Sequence, residues 1–205
     1  MPVVTISASY GAGGSQVGPR LAEHLGVPFV DRAIPVVVAE RLAVPISDAL
    51  RHDEAVRSVL ERLLVRFAPA AQAFSGAAPP QQLLDERTYL QATEQVMRER
   101  ARSGDAVILG RAGAVVLQDA PRALHVRLDG PEDLRLEQAM AIEGVDRETA
   151  QRHMRETDRA REAYVQQFYG VDARDPALYH LVLDSTVLGI DTCLDVVVQA
   201  ASRRA

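Results

Sequence analysis

The segment VVTISASYGAGGSQVGPRLAEHLG, Val3–Gly26, decides the fold class. Its first six residues, Val3–Ala8, are mostly apolar and include β-branched side chains, which predicts a buried strand. A turn rich in glycine follows, and from Val17 apolar residues recur at helical spacing until Gly26 ends the helix. A strand, a glycine turn and a helix in this order are typical of α/β proteins that bind phosphate groups at the turn.

The rest of the chain continues the alternation of strands and helices. Apolar runs predict further strands at 27–30, 106–109, 123–128 and 180–184, and helical patterns cover 82–102, 131–143, 146–169 and 190–203. This alternation predicts a three-layer α/β/α fold around a parallel sheet. The stretch 31–104 is predicted to be a mostly helical insertion, with a helix over 48–67 and a loop over 68–80, within a single domain spanning residues 1–205.

The composition narrows the class of protein. A chain of 205 residues with 47% hydrophobic and 25% charged residues is typical of a folded globular protein. Its formal charge of −5 argues against a general nucleic-acid-binding surface, and no apolar run approaches the ~20 residues of a membrane span. The single cysteine, Cys193, excludes an intrachain disulfide, and the first residues lack the basic segment of a signal peptide. We therefore expect a cytoplasmic protein that binds small molecules and neither nucleic acid nor membrane.

The basic residues are of one kind. All 23 are arginine, and the sequence contains no lysine. Any bound anion must therefore be held by guanidinium groups, backbone N–H groups or a metal ion. The five histidines show no metal-ligand spacing, and we expect all of them to be structural.

The candidate phosphate-binding turn comprises Gly11, Ala12, Gly13, Gly14 and Ser15. Glycines allow successive backbone N–H groups to converge on an anion, and the helix N-terminus adds a partial positive charge. A mononucleotide-binding loop, a dinucleotide-binding turn and a tight turn without a ligand all stay open at this point. The dinucleotide fingerprint G-x-G-x-x-G fails because Gln16 occupies the third glycine position, although Asp31 lies where a ribose-binding acid is expected.

The mononucleotide pattern G-x-x-x-x-G-K-[ST] matches in part. It places Ala8 on the first glycine, Gly13 on the second, Gly14 on the lysine and Ser15 on the hydroxyl that binds Mg²⁺. Two positions depart from the pattern, and one of them is the lysine. Ser15 is the candidate Mg²⁺ ligand, with capping of the following helix as its alternative role.

Several motifs carry a resemblance to a known family. Leu181–Ile190 is similar to the last strand and turn of bacterial cytidylate kinases, Gly110-Arg111 resembles the start of their Gly-Arg-Asp motif, and the segment Asp158–Arg161 keeps their Asp-x-x-Arg spacing. Ser9–Gly14 and Gly110–Gly113 are more similar to a divergent cytidylate kinase-like branch, which likewise lacks the lysine.

The resemblance implies a P-loop nucleoside monophosphate kinase with a five-stranded parallel sheet, a monophosphate-binding insertion at about 31–104 and a lid at about 144–175. It implies transfer of the γ-phosphoryl group of ATP, with Mg²⁺, to a nucleoside monophosphate, and a CMP-like acceptor is expected first. Arg111 would then hold the acceptor phosphate, Asp158 and Arg161 would contact the acceptor, and Arg135 would lie near the adenine. The implied catalytic residues are Arg111, Arg159 and Arg161.

Each of these assignments has an alternative in ordinary surface chemistry. Arg111 and Arg135 could be solvated arginines, and Asp158 with Arg161 could form a local ion pair on a helix. Arg159 shares a helical stripe with Arg152 and Arg155, which is also compatible with a solvated face.

Two other functions stay open as well. Gly14 replaces the lysine and Ala112 replaces the aspartate of the Gly-Arg-Asp motif, which leaves a non-catalytic nucleotide-binding or regulatory module as the first alternative. A dinucleotide-dependent oxidoreductase is the second, and Gln16 argues against it.

Overall fold

The structure is a computed structural model that describes residues 3–30, 86–110 and 112–204. Within them the strands are β1 (Val3–Ala8), β2 (Phe29–Val30), β3 (Ala106–Leu109), β4 (Leu124–Asp129) and β5 (Leu181–Asp184). The helices are α1 (Gly14–Leu25), α2 (Glu86–Ser103), α3 (Gly113–Val116), α4 (Glu132–Glu143), α5 (Arg147–Tyr169), α6 (Ser185–Leu188) and α7 (Ile190–Ser202), and a 3-10 turn covers Pro176–Leu178. The predicted helix at 48–67 and loop at 68–80 lie outside the described residues, as does Asp31.

The five strands form one sheet in the order β2-β3-β1-β4-β5, and every pairing is parallel. β1 lies at the centre, with Val4 paired to Val107 of β3 on one side and to Leu124 of β4 on the other. The predicted α/β fold with a five-stranded parallel sheet is confirmed. Because β1 is central, the glycine turn that follows it lies at the carboxyl edge of the sheet, where open α/β sheets bind ligands.

The chain divides into two compact units. One unit contains Met1–Asp31 with Met97–Ala205, and the other contains Arg32–Val96. The first unit holds the complete sheet and its main hydrophobic core, in which Ile6 and Leu128 of the strands pack with Leu21 of α1 and Val197 of α7. The predicted helical insertion at about 31–104 stays a prediction, since most of it lies outside the described residues.

Helix boundaries follow local signals that the sequence contains. α1, α4 and α5 are each followed by a glycine in the left-handed region, where other residues are strained: Gly26, Gly144 and Gly170. Asp146 caps the start of α5, and its carboxylate accepts the N–H of Thr149 at 2.8 Å. None of the described helices combines the length and hydrophobicity that a membrane span requires.

A pair of stacked histidines joins β4 to the start of β5. The rings of His125 and His180 lie 4.9 Å apart, and Nδ1 of His125 is 2.8 Å from the Thr5 hydroxyl. Burial lowers the pKa of His125 to about 4, because the charged ring would lose its hydration, and the pKa of His180 is lowered for the same reason. These contacts agree with the structural role expected for both histidines.

The stability of the protein should therefore fall as the pH decreases below about 6.5. An unfolded histidine takes up a proton near pH 6.5, whereas folded His125 resists protonation until about pH 4. Between pH 7 and pH 5 this difference should cost about 2 kcal/mol of unfolding free energy in the wild type. Urea unfolding at both pH values checks it: His125→Asn should show a smaller pH dependence, whereas the exposed-site control His24→Asn should match the wild type. Equal pH dependence in all three proteins would contradict the assignment.

Candidate functional site

The glycine turn has a backbone conformation that only glycine adopts without strain at two positions. Gly11 and Gly13 both have φ +77°, in the left-handed region, and Gly13 is the residue before the first turn of α1. The N–H groups of Ala12 and Gln16 are bonded within the turn, to the carbonyls of Ser9 and Gly13. No described residue accepts a hydrogen bond from the N–H groups of Gly13, Gly14 or Ser15, so these donors are available to a ligand.

The opposite side of the turn is held by side chains from three helices. Gln138 of α4 donates to the Gly11 carbonyl at 2.8 Å, and Arg135 of the same helix donates to the Tyr10 carbonyl at 2.6 Å. Ser185 of α6 donates to the Ala12 carbonyl at 2.9 Å. In α5, Arg161 Nη1 donates to the Ala8 carbonyl at 2.7 Å. The backbone carbonyls of Ala8, Tyr10, Gly11 and Ala12 therefore all accept hydrogen bonds from side chains of other helices.

These bonds fix the direction of the free N–H groups. In a planar trans peptide, the carbonyl of one residue and the N–H of the next point in opposite directions. Anchoring the Tyr10 and Ala12 carbonyls in the protein therefore turns the N–H groups of Gly11 and Gly13 the other way. Together with the N-terminus of α1, they form a preorganised set of donors that suits a phosphate group.

The two residues that depart from the P-loop pattern, Ala8 and Gly14, pack against each other in the structure. A Cβ added to Gly14 would lie 2.6 Å from Cβ of Ala8, a contact that real structures do not tolerate, and 3.2 Å from Cδ1 of Leu109. Alanine at position 8, where the pattern has glycine, therefore excludes any side chain at position 14, where the pattern has lysine. The sequence shows both departures, but only the structure shows that positions 8 and 14 lie against each other, and we propose that one departure compensates for the other.

Restoring the consensus lysine alone should therefore destabilise the protein. Gly14→Lys should lose about 1–3 kcal/mol of unfolding free energy through overpacking. Combining it with Ala8→Gly should recover at least about 1 kcal/mol, because removing the Ala8 methyl group makes room for the new Cβ. Urea unfolding of the two single variants and the double variant gives the coupling energy. Purely additive effects would contradict the proposed compensation.

Ser15 lies at the second position of α1 with its side chain exposed. The residue before the helix is Gly13, which offers no side-chain cap, so the alternative role of Ser15 as the capping residue is wrong. The backbone N–H of Ser15 is one of the donors of the turn that have no acceptor among the described residues. Among the described residues no cluster of three His, Cys, Asp or Glu side chains could hold a metal ion. A hydroxyl with phosphate oxygens and waters fits Mg²⁺, which usually keeps several waters and takes few protein ligands.

The structure gives Arg135 and Asp158 partners within the protein. Arg135 is buried, and its Nη1 contacts Asp158 Oδ2 at 2.8 Å, while its Nε donates to the Gly130 carbonyl at 2.9 Å. The other carboxylate oxygen of Asp158 accepts the N–H of Tyr10 at 2.7 Å. The solvated arginine that was the alternative for Arg135 is therefore wrong. The predicted contacts of Arg135 with ATP and of Asp158 with the acceptor stay predictions.

The two predicted catalytic arginines of α5 differ in their surroundings. Arg161 reaches the start of the glycine turn through its bond to the Ala8 carbonyl. Arg159 is exposed and lines a shallow groove between the second half of α5 and the following segment, whose wall includes Glu162, Asp172 and Arg174. Of these two arginines, the structure brings Arg161 to the turn.

Comparison with known proteins agrees with this geometry. Residues 3–187 match the model of the cytidylate kinase-like family. The chain belongs to the cytidylate kinase-like family. It is 27% identical over 194 residues to a cytidylate kinase of Methanopyrus kandleri, a match that covers 90% of this chain and 84% of the relative. The resemblance predicted from the motifs is therefore confirmed at the level of the family.

Solved structures support the fold. A crystal structure of an uncharacterized protein from Eubacterium ventriosum has a TM-score of 0.67 and 20% identity, and the match covers 98% of this chain and 99% of that one. A sugar kinase from Janibacter sp. HTCC2649 has a TM-score of 0.51 and 16% identity, covering 97% and 93%. Family and fold are both those of kinases, which transfer phosphoryl groups.

The family's Gly-Arg-Asp motif lies at the end of β3. Arg111 is outside the described residues, so its predicted role stays a prediction. On either side of it, Gly110 has φ +76° and Ala112 has φ +52°. Among the described residues, Ala112 is the only non-glycine residue with a positive φ, a conformation that Asn and Asp tolerate better than alanine. The two residues that flank Arg111 therefore both have a positive φ, one of them an alanine.

A partly buried ion pair that sequence reasoning missed, Arg127 with Asp129, supports the chain at Ser9, just before the glycine turn. Arg127 of β4 is 6% exposed and makes two hydrogen bonds to Asp129, while its Nη2 donates to the Ser9 hydroxyl at 3.0 Å. Burial alone would raise the pKa of Asp129, but the Arg127 guanidinium lowers it below its usual value. Arg127 also donates to the Ala173 carbonyl at 3.0 Å, which ties the segment after α5 to the sheet. The i, i+2 spacing of Arg127 and Asp129 at a strand end was the signal available in the sequence.

Proposed function

We propose that this protein transfers the γ-phosphoryl group of ATP to a nucleoside monophosphate, with CMP as the first candidate acceptor. The observation that carries the proposal is the glycine turn, whose carbonyl side is bonded to α4, α5 and α6 while the N–H groups of Gly13, Gly14 and Ser15 have no acceptor among the described residues. Membership of the cytidylate kinase-like family and the kinase fold support the reaction class. The name of the Methanopyrus kandleri relative supports cytidylate as the acceptor.

In this proposal the turn holds the phosphates of ATP. The N–H groups of residues 11 and 13–15 point toward the ligand side, and the N-terminus of α1 favours negative charge there. Mg²⁺, held by the Ser15 hydroxyl and by phosphate oxygens, would neutralise charge on the phosphates. Phosphoryl transfer needs mainly positioning and electrostatic stabilisation, and a preorganised backbone can supply both.

Arg161 takes the place of the missing lysine in this proposal. Its guanidinium lies at the Ala8 carbonyl, directly before the glycine turn, although the residue belongs to α5. Gly14 leaves no room for a side chain, so the positive charge near the phosphates has to come from another element. Arginine suits this role because its planar guanidinium can contact two phosphate oxygens at once. Arg159, which lines the groove beside α5, is proposed to add charge when the acceptor is bound.

The acceptor is proposed to bind beyond the end of β3. Arg111 follows Gly110 at that strand end, and the family motif assigns it to the acceptor phosphate. The family motif implies Asp158 and Arg161 as further acceptor residues. Because both carboxylate oxygens of Asp158 are bonded to Tyr10 and Arg135, only Arg161 of the two is proposed to contact the acceptor.

A phosphotransfer screen tests the proposed function. ATP and Mg²⁺ are incubated with the protein and, separately, with each nucleoside monophosphate and with small hydroxylated metabolites, and the phosphorylated product is identified. We expect transfer to CMP above all other acceptors. ATP-dependent thermal stabilisation with no transfer to any acceptor would instead favour the nucleotide-binding regulatory module, which the absence of the lysine and of an aspartate at Ala112 supports.

A further inference from the structure

We infer that Tyr10 and Asp158 clamp the glycine turn to the helices α4 and α5, and that Asp158 is a positioning residue for the reaction; this inference rests on the proposed function. The clamp is a closed set of three contacts. The Tyr10 N–H donates to Asp158 Oδ1 at 2.7 Å, Arg135 Nη1 donates to the Tyr10 carbonyl at 2.6 Å, and the same nitrogen contacts Asp158 Oδ2 at 2.8 Å. The backbone N–H and the backbone carbonyl of Tyr10 are thus both held, by side chains from two helices.

The side chain of Tyr10 strengthens the clamp. It is 8% exposed and packs in a small hydrophobic cluster with Leu136 and Ala139 of α4 and Ala150 and Met154 of α5. This cluster is separate from the main core under the sheet. The residue directly before the glycine turn therefore has its aromatic ring in the core of the α4–α5 pair.

The Tyr10 hydroxyl adds a contact with the last residue of α4. It donates to Glu143 Oε2 at 2.7 Å, and burial together with this carboxylate raises the pKa of Tyr10, so that the hydroxyl stays protonated. The ring of His153 meets the Tyr10 ring edge-on at 6.2 Å, and its Nδ1 lies 3.5 Å from the same Glu143 oxygen. The tyrosine thereby contacts the last residue of α4 and the first half of α5 as well as the turn.

The clamp has two consequences for the proposed chemistry. By holding the Tyr10 carbonyl, it sets the plane of the peptide whose N–H belongs to Gly11, the first donor on the ligand side. By holding Asp158, it also fixes the part of α5 that carries Arg161, which lies three residues further on the same face of the helix. Asp158 therefore acts on the phosphates through the backbone donors and through Arg161, with no need to touch the nucleotide itself.

Asp158→Asn tests the clamp, with Glu156→Gln as a matched control. Both changes remove one negative charge from α5, but Glu156 is exposed and lies outside the clamp. Two measurements are made: hydrogen exchange of the amides of residues 10–15 without nucleotide, and kcat with KM for ATP and for CMP. In Asp158→Asn we expect exchange of the Tyr10 amide to accelerate and kcat to fall, each about 10- to 100-fold, the range for losing a hydrogen bond to a charged group. KM for CMP should stay within about threefold, since the carboxylate does not contact the acceptor in this account.

The outcomes separate the inference from the proposed function. A rise in KM for CMP with unchanged exchange and unchanged kcat would overturn the positioning role and favour an acceptor contact. Unchanged exchange of the Tyr10 amide would overturn the clamp whether or not the protein transfers phosphate.

If the wild type transfers no phosphate, the proposed function fails, and accelerated exchange with weaker ATP binding in Asp158→Asn would still support the clamp. If Asp158→Asn does not fold, the wild type still tests the clamp: its Tyr10 amide should exchange more slowly than the amides of Gly13 and Gly14, which have no acceptor among the described residues, and equal protection of these amides would overturn the inference.

Discussion

Replacing Gly11 by alanine should abolish most of the ATP affinity and destabilise the fold by about 2–5 kcal/mol, from a left-handed backbone and overpacking together. The new Cβ would lie 2.1 Å from the backbone carbonyl oxygen of Arg135 and 3.2 Å from Cβ of Ala139. Because the obstacle is the backbone of α4, it cannot move aside by changing a rotamer. The turn itself would have to shift, and its N–H groups would lose their orientation. Urea unfolding and titration with ATP measure the two effects.

Gly26→Ala is the matched control for this variant. Gly26 also has a positive φ, +65°, but nothing lies within 4 Å of the Cβ that alanine would add. It should therefore lose only the ~1–2 kcal/mol that the left-handed backbone costs, and it should bind ATP as the wild type does. Equal destabilisation of the two variants, with ATP affinity kept in Gly11→Ala, would contradict the proposed close approach of the turn and α4.

Truncating Arg161 should give the largest loss of turnover. Removing one group that stabilises transition-state charge typically lowers kcat by about 10²- to 10³-fold. Arg127 and Arg135 also contact residues next to the turn but are buried, whereas Arg161 is an exposed arginine with its guanidinium there. Its side chain is exposed, so Arg161→Ala should change the unfolding free energy by no more than about 1 kcal/mol. Arg161→Lys should recover only part of the rate, because an ammonium group lacks the planar pair of donors.

Arg155→Ala provides the comparison for Arg161→Ala. Arg155 is an exposed arginine of the same helix, so its removal changes the net charge equally. We expect wild-type kcat in Arg155→Ala and a smaller loss in Arg159→Ala than in Arg161→Ala. Wild-type rates for both Arg159→Ala and Arg161→Ala would show that these arginines only form a solvated face of α5.

Most of the fold could be predicted because its signals are local. The apolar run at Val3–Ala8, the glycine that ends α1 and the aspartate that begins α5 each depend on residues within a few positions of one another. The short helix α6 was not predicted, since its four residues are too few to show a periodicity. Its start is nevertheless marked by Asp184, whose carboxylate accepts the N–H groups of Thr186 and Val187.

The site was harder to predict because its contacts join distant parts of the chain. Arg135, Asp158 and Arg161 were all selected from motifs, but their partners in the turn lie 125 to 153 residues away in sequence. A periodic pattern of apolar residues predicts local helices and strands, but it cannot predict contacts between residues so far apart in sequence. Tyr10 was passed over as one residue of a loop, although a large aromatic residue within a run of glycine, serine and alanine is itself a sign that the side chain is buried elsewhere.

The missing lysine is another feature that the sequence alone could not explain. Read alone, Gly14 weakens the assignment of a nucleotide-binding turn. In the structure, the Ala8 methyl group occupies the space that a side chain at position 14 would need, and Arg161 lies at the carbonyl of Ala8 itself. A departure from a motif is interpretable only together with the residues that pack against it, and these are found through the fold.

The central claim is that the N–H groups of the turn bind the phosphates of a nucleotide without a lysine. It is tested most directly by following the amide resonances of Gly11, Gly13, Gly14 and Ser15 in ¹H–¹⁵N spectra during titration with ATP and, separately, with adenosine. We expect ATP to shift these four amides downfield in a saturable way, as hydrogen bonds to phosphate form, while adenosine leaves them unchanged. Unshifted amides at saturating ATP, or equal shifts with adenosine, would contradict the account.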